Sequence, residues 1–164
     1  MTEHFKDDPD LRKVAELYAL DAIDFARSRF KLELDWTDES VAHVESMLTV
    51  FHKQMPDANP NEEQVRLFAK MFGSYVGEVF RRNHGATWGM VNLQGNEFPG
   101  LKSDGSAGLF WPWSRVKKRL TDGPEDNVWH YYQVLLERNG NGDASNSIDV
   151  LSPKKSWWSR FRGA

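Results

Sequence analysis

The sequence predicts an α+β fold, with three N-terminal helices, a small antiparallel sheet of about three strands and one or two C-terminal helices. Three observations support this prediction. Apolar residues recur with helical spacing through the first half of the chain, and the period changes to that of strands after Gly85. From about residue 139, Gly, Asn, Ser and Asp dominate the composition. We therefore predict one domain over residues 1–138, followed by a flexible linker and a basic, aromatic tail over residues 139–164.

Three helices are predicted before Gly85, each beginning with a side-chain acceptor and with proline or carboxylates in its first turn. Their predicted caps are Asp8, Thr37 and, in the manner of a capping box, the run Asn59-Pro60-Asn61-Glu62. Their predicted ends are about Phe30, the residue before Pro56, and about residue 83. Their apolar stripes include Phe25 in the first helix, Phe51 and Met55 in the second, and Val65 and Phe68 in the third.

Strands are predicted after Gly85, over residues 87–93, 97–101 and 107–110. The turn at Gln94-Gly95-Asn96 joins the first two, and Pro99 weakens the second. Pro112 suits the first turn of a short basic helix over residues 114–120. We predict a last helix over residues 125–138, although the aromatic and β-branched run 128–134 also fits a strand.

Composition restricts the class of protein. The 164 residues are 40% hydrophobic and 13% aromatic, which suits a domain with a buried core rather than a disordered chain. The absence of cysteine excludes disulfides and thiolate chemistry. The N-terminus lacks the pattern of a secretory signal, and no apolar run approaches the roughly 20 residues of a membrane span. We therefore predict a cytoplasmic location.

Charge is distributed unevenly along the chain. Residues 1–63 carry 15 acidic and 7 basic side chains, a net charge of −8, whereas residues 64–164 carry 9 acidic and 14 basic side chains, a net charge of +5. Such a polarised chain is suited to steering a partner or to self-association. A solvated helical surface produces the same pattern.

The most constrained segment is the helix that contains Gly73 and Gly77. Each glycine in a helix interior costs roughly 1 kcal/mol relative to alanine, and residues four apart lie on one face. We therefore expect another backbone or an aromatic ring directly against that face. Tyr75 and Trp88 flank the same helix end, where they are expected to pack in the core or, alternatively, to line a pocket over the glycines.

Glu78, between Gly77 and Val79, is the carboxylate that we expect to be shielded from water. A shielded carboxylate needs a cationic partner, which Arg82, one turn later, or Arg115 in the basic helix is able to supply. We favour a charge pair that fixes the helix against the sheet. A carboxylate tuned for acid-base catalysis is the alternative, but no second carboxylate or nucleophile is close in sequence, so we assign no catalytic residue.

Other candidate sites are weaker. The five histidines lack the spacing of metal ligands, so we predict neither a metal site nor a cofactor. The basic run 115–119 follows Trp111 and Trp113, but it is short and the chain is acidic overall, so nucleic acid is not the favoured partner.

The C-terminal segment 153–162 combines four cations and three aromatic residues. It suits contact with a protein partner or an anionic membrane surface, or folding back onto the acidic half of the chain. The residues that we assign to such contact are Lys154, Lys155, Trp157, Trp158, Arg160, Phe161 and Arg162.

The chain resembles a family of uncharacterised bacterial domains of unknown function. The resemblance rests on the run Gly73-x-Tyr75-x-Gly77-Glu78-Val79, on Trp88 at the start of a strand, and on Pro112 before Val116-Lys117-Lys118-Arg119. The family pattern is a Gly-x-Tyr-x-Gly-Glu helix followed by a Trp-bearing strand, and the resemblance covers about residues 37–138. It implies an α+β fold and a bacterial origin. It carries over no catalytic residue and marks as signature positions Gly73, Tyr75, Gly77, Glu78 and Trp88.

We therefore expect a non-enzymatic bacterial protein that binds another macromolecule, with a protein as the favoured partner. A narrower form is an inhibitor or immunity-type protein whose acidic half covers a basic toxin. Two alternatives stay open. One is a small enzyme with Glu78 as general base in a pocket near Tyr75 and Trp88, and the other is a peripheral membrane protein attached through its tail.

Overall fold

Five α-helices and a four-stranded antiparallel sheet make up residues 4–141, the part of the chain that the structure, a computed structural model, describes. The helices are α1 (Pro9–Phe25), α2 (Ser40–Ala58), α3 (Glu62–His84), α4 (Pro112–Asp122) and α5 (Val128–Asn141). The strands are β1 (His4–Asp7), β2 (Ala86–Leu93), β3 (Asn96–Ser103) and β4 (Leu109–Phe110). A π-helical turn (Ala26–Phe30) extends α1, and a 3-10 turn (Pro124–Asp126) precedes α5. The predicted α+β class is confirmed.

The first helix begins as predicted. The Asp8 carboxylate accepts hydrogen bonds of 3.1 Å from the backbone N–H groups of Asp10 and Leu11, which would otherwise lack partners at the helix start. The inner face of α1 and its π-helical extension carries a row of fully buried small side chains: Ala15, Ala19, Ala22 and Ala26. Such small residues let α1 pack closely along α3.

The end of α2 differs from the prediction. The helix continues through Pro56 to Ala58, so the proline lies inside the last turn and only two helical residues follow it. A proline so near the end of a helix disturbs little of the hydrogen-bonding that follows it. The chain then leaves the helix at Asn59, whose backbone has a left-handed φ of 46° and donates to the Met55 carbonyl at 2.8 Å. The cap of α3 is therefore Asn61 rather than Asn59, and it forms a reciprocal capping box with Gln64, with hydrogen bonds of 2.8 and 2.9 Å.

The start of α2 is also later than predicted. Its first residue is Ser40, three positions after Thr37, although the Thr37 hydroxyl still accepts the Ser40 N–H at 3.3 Å. The intervening Asp38 is therefore outside the helix and is available for contacts with other elements.

The sheet has the strand order β1-β2-β3-β4, one strand more than the sequence predicts. The missed strand, β1, has only four residues with three charged or polar side chains, too short to show alternation. The predicted turn is present but shorter than Gln94-Gly95-Asn96, because Asn96 already pairs with Leu93 in the sheet. The two turn residues, Gln94 and Gly95, both have positive φ, which is typical of tight hairpins. Pro99 lies inside β3 beyond the two residues paired with β4, so its missing N–H breaks no bond to β4.

The core is built around α3. All ten residues from Met71 to Phe80 are buried, with α1 and α4 packed against α3 and the inner face of the sheet covering it through Trp88 and Leu101. The last element is a helix, as favoured, because its apolar residues fall on one helical face: Val128, Tyr131, Tyr132 and Leu135 are buried.

The predicted linker and tail are described only in part. Residues 139–141 belong to α5, and the predicted tail contacts lie outside the described residues. Within residues 4–141, no helix combines the length and the apolar composition that crossing a bilayer requires.

Candidate functional site

Both glycines of α3 are in close contact with other elements. A Cβ atom at Gly73 would lie 2.8 Å from the Trp113 Cα and 2.9 Å from the Pro112 carbonyl oxygen, where α4 begins. A Cβ atom at Gly77 would lie 2.5 Å from the Trp88 ring. The two expected causes are therefore both present, since a backbone approaches Gly73 and an aromatic ring approaches Gly77.

Glu78 is the centre of the site and is fully buried. Arg81 donates through Nε at 2.7 Å and through Nη2 at 3.0 Å, Arg82 donates through Nε at 3.3 Å, and the Trp88 indole N–H donates at 2.8 Å. Burial alone would raise the pKa of Glu78, but these hydrogen bonds and the charge of Arg81 outweigh it, so the pKa lies below its ordinary value. Arg82 is thus one of the partners, as predicted, and Arg81, three residues from Glu78, was missed.

The two arginines connect Glu78 to the surrounding elements. Arg81 also lies 3.5 Å from the Glu16 carboxylate of α1. The Arg82 guanidinium lies over the ring of Trp36, a residue of the loop between α1 and α2, at 3.7 Å from the ring centroid. The charge of Glu78 therefore ties α3 to α1, to that loop and, through Trp88, to the sheet.

Trp36 is a site residue that the sequence did not indicate. Its φ of 69° is left-handed, which is unusual for a bulky residue. The Tyr75 hydroxyl accepts the Trp36 N–H at 3.0 Å and lies 2.6 Å from the Ser40 hydroxyl, while Asn83 donates to the Trp36 carbonyl at 2.9 Å. The rings of Trp36 and Tyr75 also stack, at 5.1 Å between centroids. These contacts hold the loop against the end of α3.

Asp38 forms a second polar cluster beside this one. Tyr132 of α5 donates to its carboxylate at 2.6 Å, Asn83 donates at 3.1 Å, and the His84 Nε2 lies 3.0 Å away. Burial acts to raise the pKa of Asp38, but the hydrogen bonds from Tyr132, His84 and Asn83 outweigh it, and the pKa is lowered. The cluster joins the start of α2, the end of α3 and α5.

Tyr75 and Trp88 make their contacts in different directions from α3. Trp88 lies on the sheet side of α3, over Gly77, whereas the Tyr75 hydroxyl points to the loop at Trp36. Both Tyr75 and Glu78 are fully buried. The arrangement is that of a clamp between elements, and it favours the structural interpretation of Glu78.

Arg115 does not contact Glu78. It lies in the buried face of α4, where its Nη1 is 3.3 Å from the Asp126 carboxylate. Arg119, on the same face, donates to Glu45 at 2.8 Å and to Thr49 at 2.7 Å. Two of the cations in the predicted basic helix are thus buried in the core and are not presented to a nucleic acid.

A groove lies at the opposite end of α3 from Glu78, between the ends of α1, α2 and α3. Its volume is about 400 Å³. We call it the α1–α3 groove. Its lining side chains are Phe25, Arg29, Phe51, Gln54, Met55, Ala58, Pro60, Gln64, Val65, Leu67, Phe68 and Leu120. Several of them belong to the predicted apolar stripes, but the sequence did not indicate that the helix ends separate here.

No group of three or more His, Asp or Glu side chains is placed to hold a metal ion within residues 4–141. No family model, curated protein or solved structure matches this chain. The resemblance to the family of uncharacterised bacterial domains therefore stays a prediction.

Proposed function

We propose that this chain is a non-enzymatic cytoplasmic protein of bacteria that binds another protein through the outward side of α1. The observation that carries the proposal is the exposure of three large apolar side chains there. Val14, Leu17 and Leu20 are 42%, 65% and 50% exposed, so three of the six large apolar side chains that are exposed among the described residues lie on two turns of one helix.

These side chains contribute little to the fold. The inner face of α1 is already filled by the row of buried alanines, and Leu17 and Leu20 lie on the other side of the helix. Single exposed apolar residues are normal, but a group of them on one element is typical of an interaction surface. Complete burial of a leucine side chain is worth roughly 1.5 to 3 kcal/mol. When a partner binds an amphipathic helix in an apolar groove, the side chains that enter the groove are spaced three or four residues apart along the helix.

The chemistry of Glu78 favours binding over catalysis as the function. A general base needs a free lone pair near its substrate, whereas four N–H donors occupy the Glu78 carboxylate. A lowered pKa also makes the carboxylate a weaker base. We therefore treat the cluster around Glu78 as the scaffold that holds α1 in place, since Arg81 bridges Glu78 to Glu16.

Affinity capture from native bacterial lysate, with quantitative mass spectrometry, tests the proposal. The double variant Leu17→Glu, Leu20→Glu adds two charges at exposed positions and is expected to fold. The matched control, Ser46→Glu with Gln133→Glu, adds the same charge at exposed positions of α2 and α5. Equal melting temperatures for the three proteins establish that any difference arises from the surface.

We expect the wild type and the control to retain the same protein and the Leu17, Leu20 variant to lose it. Retention by all three proteins would overturn the assignment of the surface, and the absence of any specific protein would overturn the proposed function. A basic toxin or nuclease among the captured proteins would support the narrower inhibitor form. A chain ending at Leu151, tested in parallel and on anionic vesicles, separates any contribution of the tail.

A further inference from the structure

The α1–α3 groove is a second surface with its own chemistry. Nine of its twelve lining side chains are apolar, and its three aromatic members form one wall. Phe25, Phe51 and Phe68 lie in mutual contact, with ring centroids 5.0 to 5.7 Å apart, and all three are half-buried. A volume of about 400 Å³ lies within the usual range for small-molecule sites.

The groove has a single charged side chain, Arg29. Its guanidinium lies 5.6 Å from the centroid of the Phe25 ring, at the aromatic wall. Among the described residues, no carboxylate forms an ion pair with Arg29. Arg27, two residues earlier, instead forms a paired hydrogen bond with Glu33, at 3.0 and 3.1 Å, and lies 3.7 Å from Asp24. The lining contains one unmatched positive charge and no negative charge.

The other polar side chains of the lining are able to donate hydrogen bonds to an acceptor group of a ligand. Gln54 and Gln64 carry side-chain amides, and the Gln64 oxygen is already occupied by the Asn61 N–H at 2.9 Å, which leaves its NH2 group as a donor. An arginine binds a carboxylate through two parallel hydrogen bonds. One arginine balances one negative charge, whereas a phosphate dianion needs more cations than this lining provides.

We propose that the α1–α3 groove binds a small ligand that has an apolar chain and one carboxylate, with the chain against the three phenylalanines and the carboxylate on Arg29. This site is separate from the outward side of α1, so the inference goes beyond the proposed function. A medium-chain fatty acid has the required chemistry.

Calorimetric titration of the full chain with decanoate tests the site, with decylammonium as the probe of equal chain length and opposite charge. We expect saturable binding of decanoate at least about tenfold tighter than that of decylammonium, since charge-assisted hydrogen bonds contribute only to the anion. Arg29→Gln removes the charge while leaving an amide, and it is expected to abolish the preference.

Two further variants separate the groove from general surface effects. Arg27→Gln removes a cation of the same turn whose partners lie outside the groove, and it is expected to leave decanoate binding unchanged. Ala58→Phe places a ring into the lining from an exposed position and is expected to weaken both probes. The proposal is overturned if the probes bind equally to the wild type, if neither binds, or if Arg27→Gln acts as strongly as Arg29→Gln.

Discussion

The Trp88 indole N–H donates a 2.8 Å hydrogen bond to the Glu78 carboxylate, and the same ring lies against Gly77, the residue directly before Glu78. One side chain of β2 thus fills the space above a helix glycine and satisfies the carboxylate beside it. The glycine makes room for the ring, and the ring brings the donor to the carboxylate. We conclude that Gly77, Glu78 and Trp88 act as one packing unit between α3 and the sheet.

Gly77→Ala is expected to destabilise the protein, although alanine is the better helix former. The added Cβ would lie 2.5 Å from the Trp88 ring, whose position is fixed by its hydrogen bond to Glu78. Overpacking of a core costs about 1 to 3 kcal/mol, more than the roughly 1 kcal/mol gained in helix propensity. The measurement is the free energy of unfolding in urea.

The control for that experiment is Gly140→Ala in α5, where an added Cβ meets nothing within 4 Å. There the propensity gain is expected to stabilise the protein, by up to about 1 kcal/mol. If both substitutions shift stability in the same direction, the contact with Trp88 does not explain the glycine in α3.

Glu78→Gln is expected to cost about 3 to 5 kcal/mol of unfolding free energy, because it removes the buried negative charge shared by Arg81 and Arg82 and leaves Arg81 with only the Glu16 carboxylate, 3.5 Å away. Glu33→Gln, which breaks the exposed pair with Arg27, is the matched control and is expected to cost far less. Similar losses for the two variants would argue against a buried clamp.

The pH dependence of stability gives a second readout for Glu78. Its pKa is lower in the folded state than in the unfolded state, so its contribution is present above the ordinary glutamate pKa and is lost as pH falls through the folded value. The difference in unfolding free energy between the wild type and Glu78→Gln is therefore expected to shrink on acidification below about pH 4.5.

The sequence was informative where a local rule determined the structure. Helical periodicity located the first three helices, and the spacing of Gly73 and Gly77 required a close neighbour. Pro112 indicated the fourth helix, whereas the fifth was favoured over a strand without a decisive local pattern. The caps were less certain, because Asn59 and Asn61 both satisfy the composition of a helix start. Only the left-handed backbone at Asn59, which ends α2, decides between them.

The remaining features depend on tertiary contacts that no local pattern contains. Trp36 is held by a hydroxyl 39 positions away, and Asp38 by one 94 positions away. The four-residue β1 forms because β2 offers it an edge, and its own residues show no strand pattern. The α1–α3 groove arises where helix ends diverge, so the stripe residues Phe51 and Phe68 are half-buried there instead of closed in the core.

Asp126 is expected to give stability a slope opposite to that of Glu78. Burial, which outweighs the attraction of Arg115, raises the pKa of Asp126 to about 6 in the folded state. The folded protein therefore holds this proton more tightly than the unfolded chain, and stability falls as pH rises from about 4 to about 6.

The variant Asp126→Asn isolates this effect, since asparagine resembles the protonated side chain at every pH. Relative to the variant, the wild type is expected to lose about 1 to 3 kcal/mol of unfolding free energy across that interval, because one unit of pKa difference between the folded and unfolded states corresponds to about 1.4 kcal/mol. A difference that stays flat, or that moves in favour of the wild type, would mean that the pair with Arg115 outweighs the cost of burial.

Tyr75→Phe is expected to loosen the loop that carries Trp36. The substitution keeps the ring that stacks on Trp36 but removes the hydroxyl that accepts its N–H and contacts Ser40, and the loss of such buried hydrogen bonds costs about 1 to 3 kcal/mol. Amide hydrogen exchange at Trp36 is expected to accelerate more than exchange in the middle of α3.

Ser40→Ala completes a double-mutant cycle, in which a coupling energy near zero would show that the two hydroxyls act independently. Because the left-handed backbone of Trp36 persists only where its surroundings hold it, faster exchange confined to this loop would identify Tyr75 as the residue that holds Arg82's aromatic partner in place.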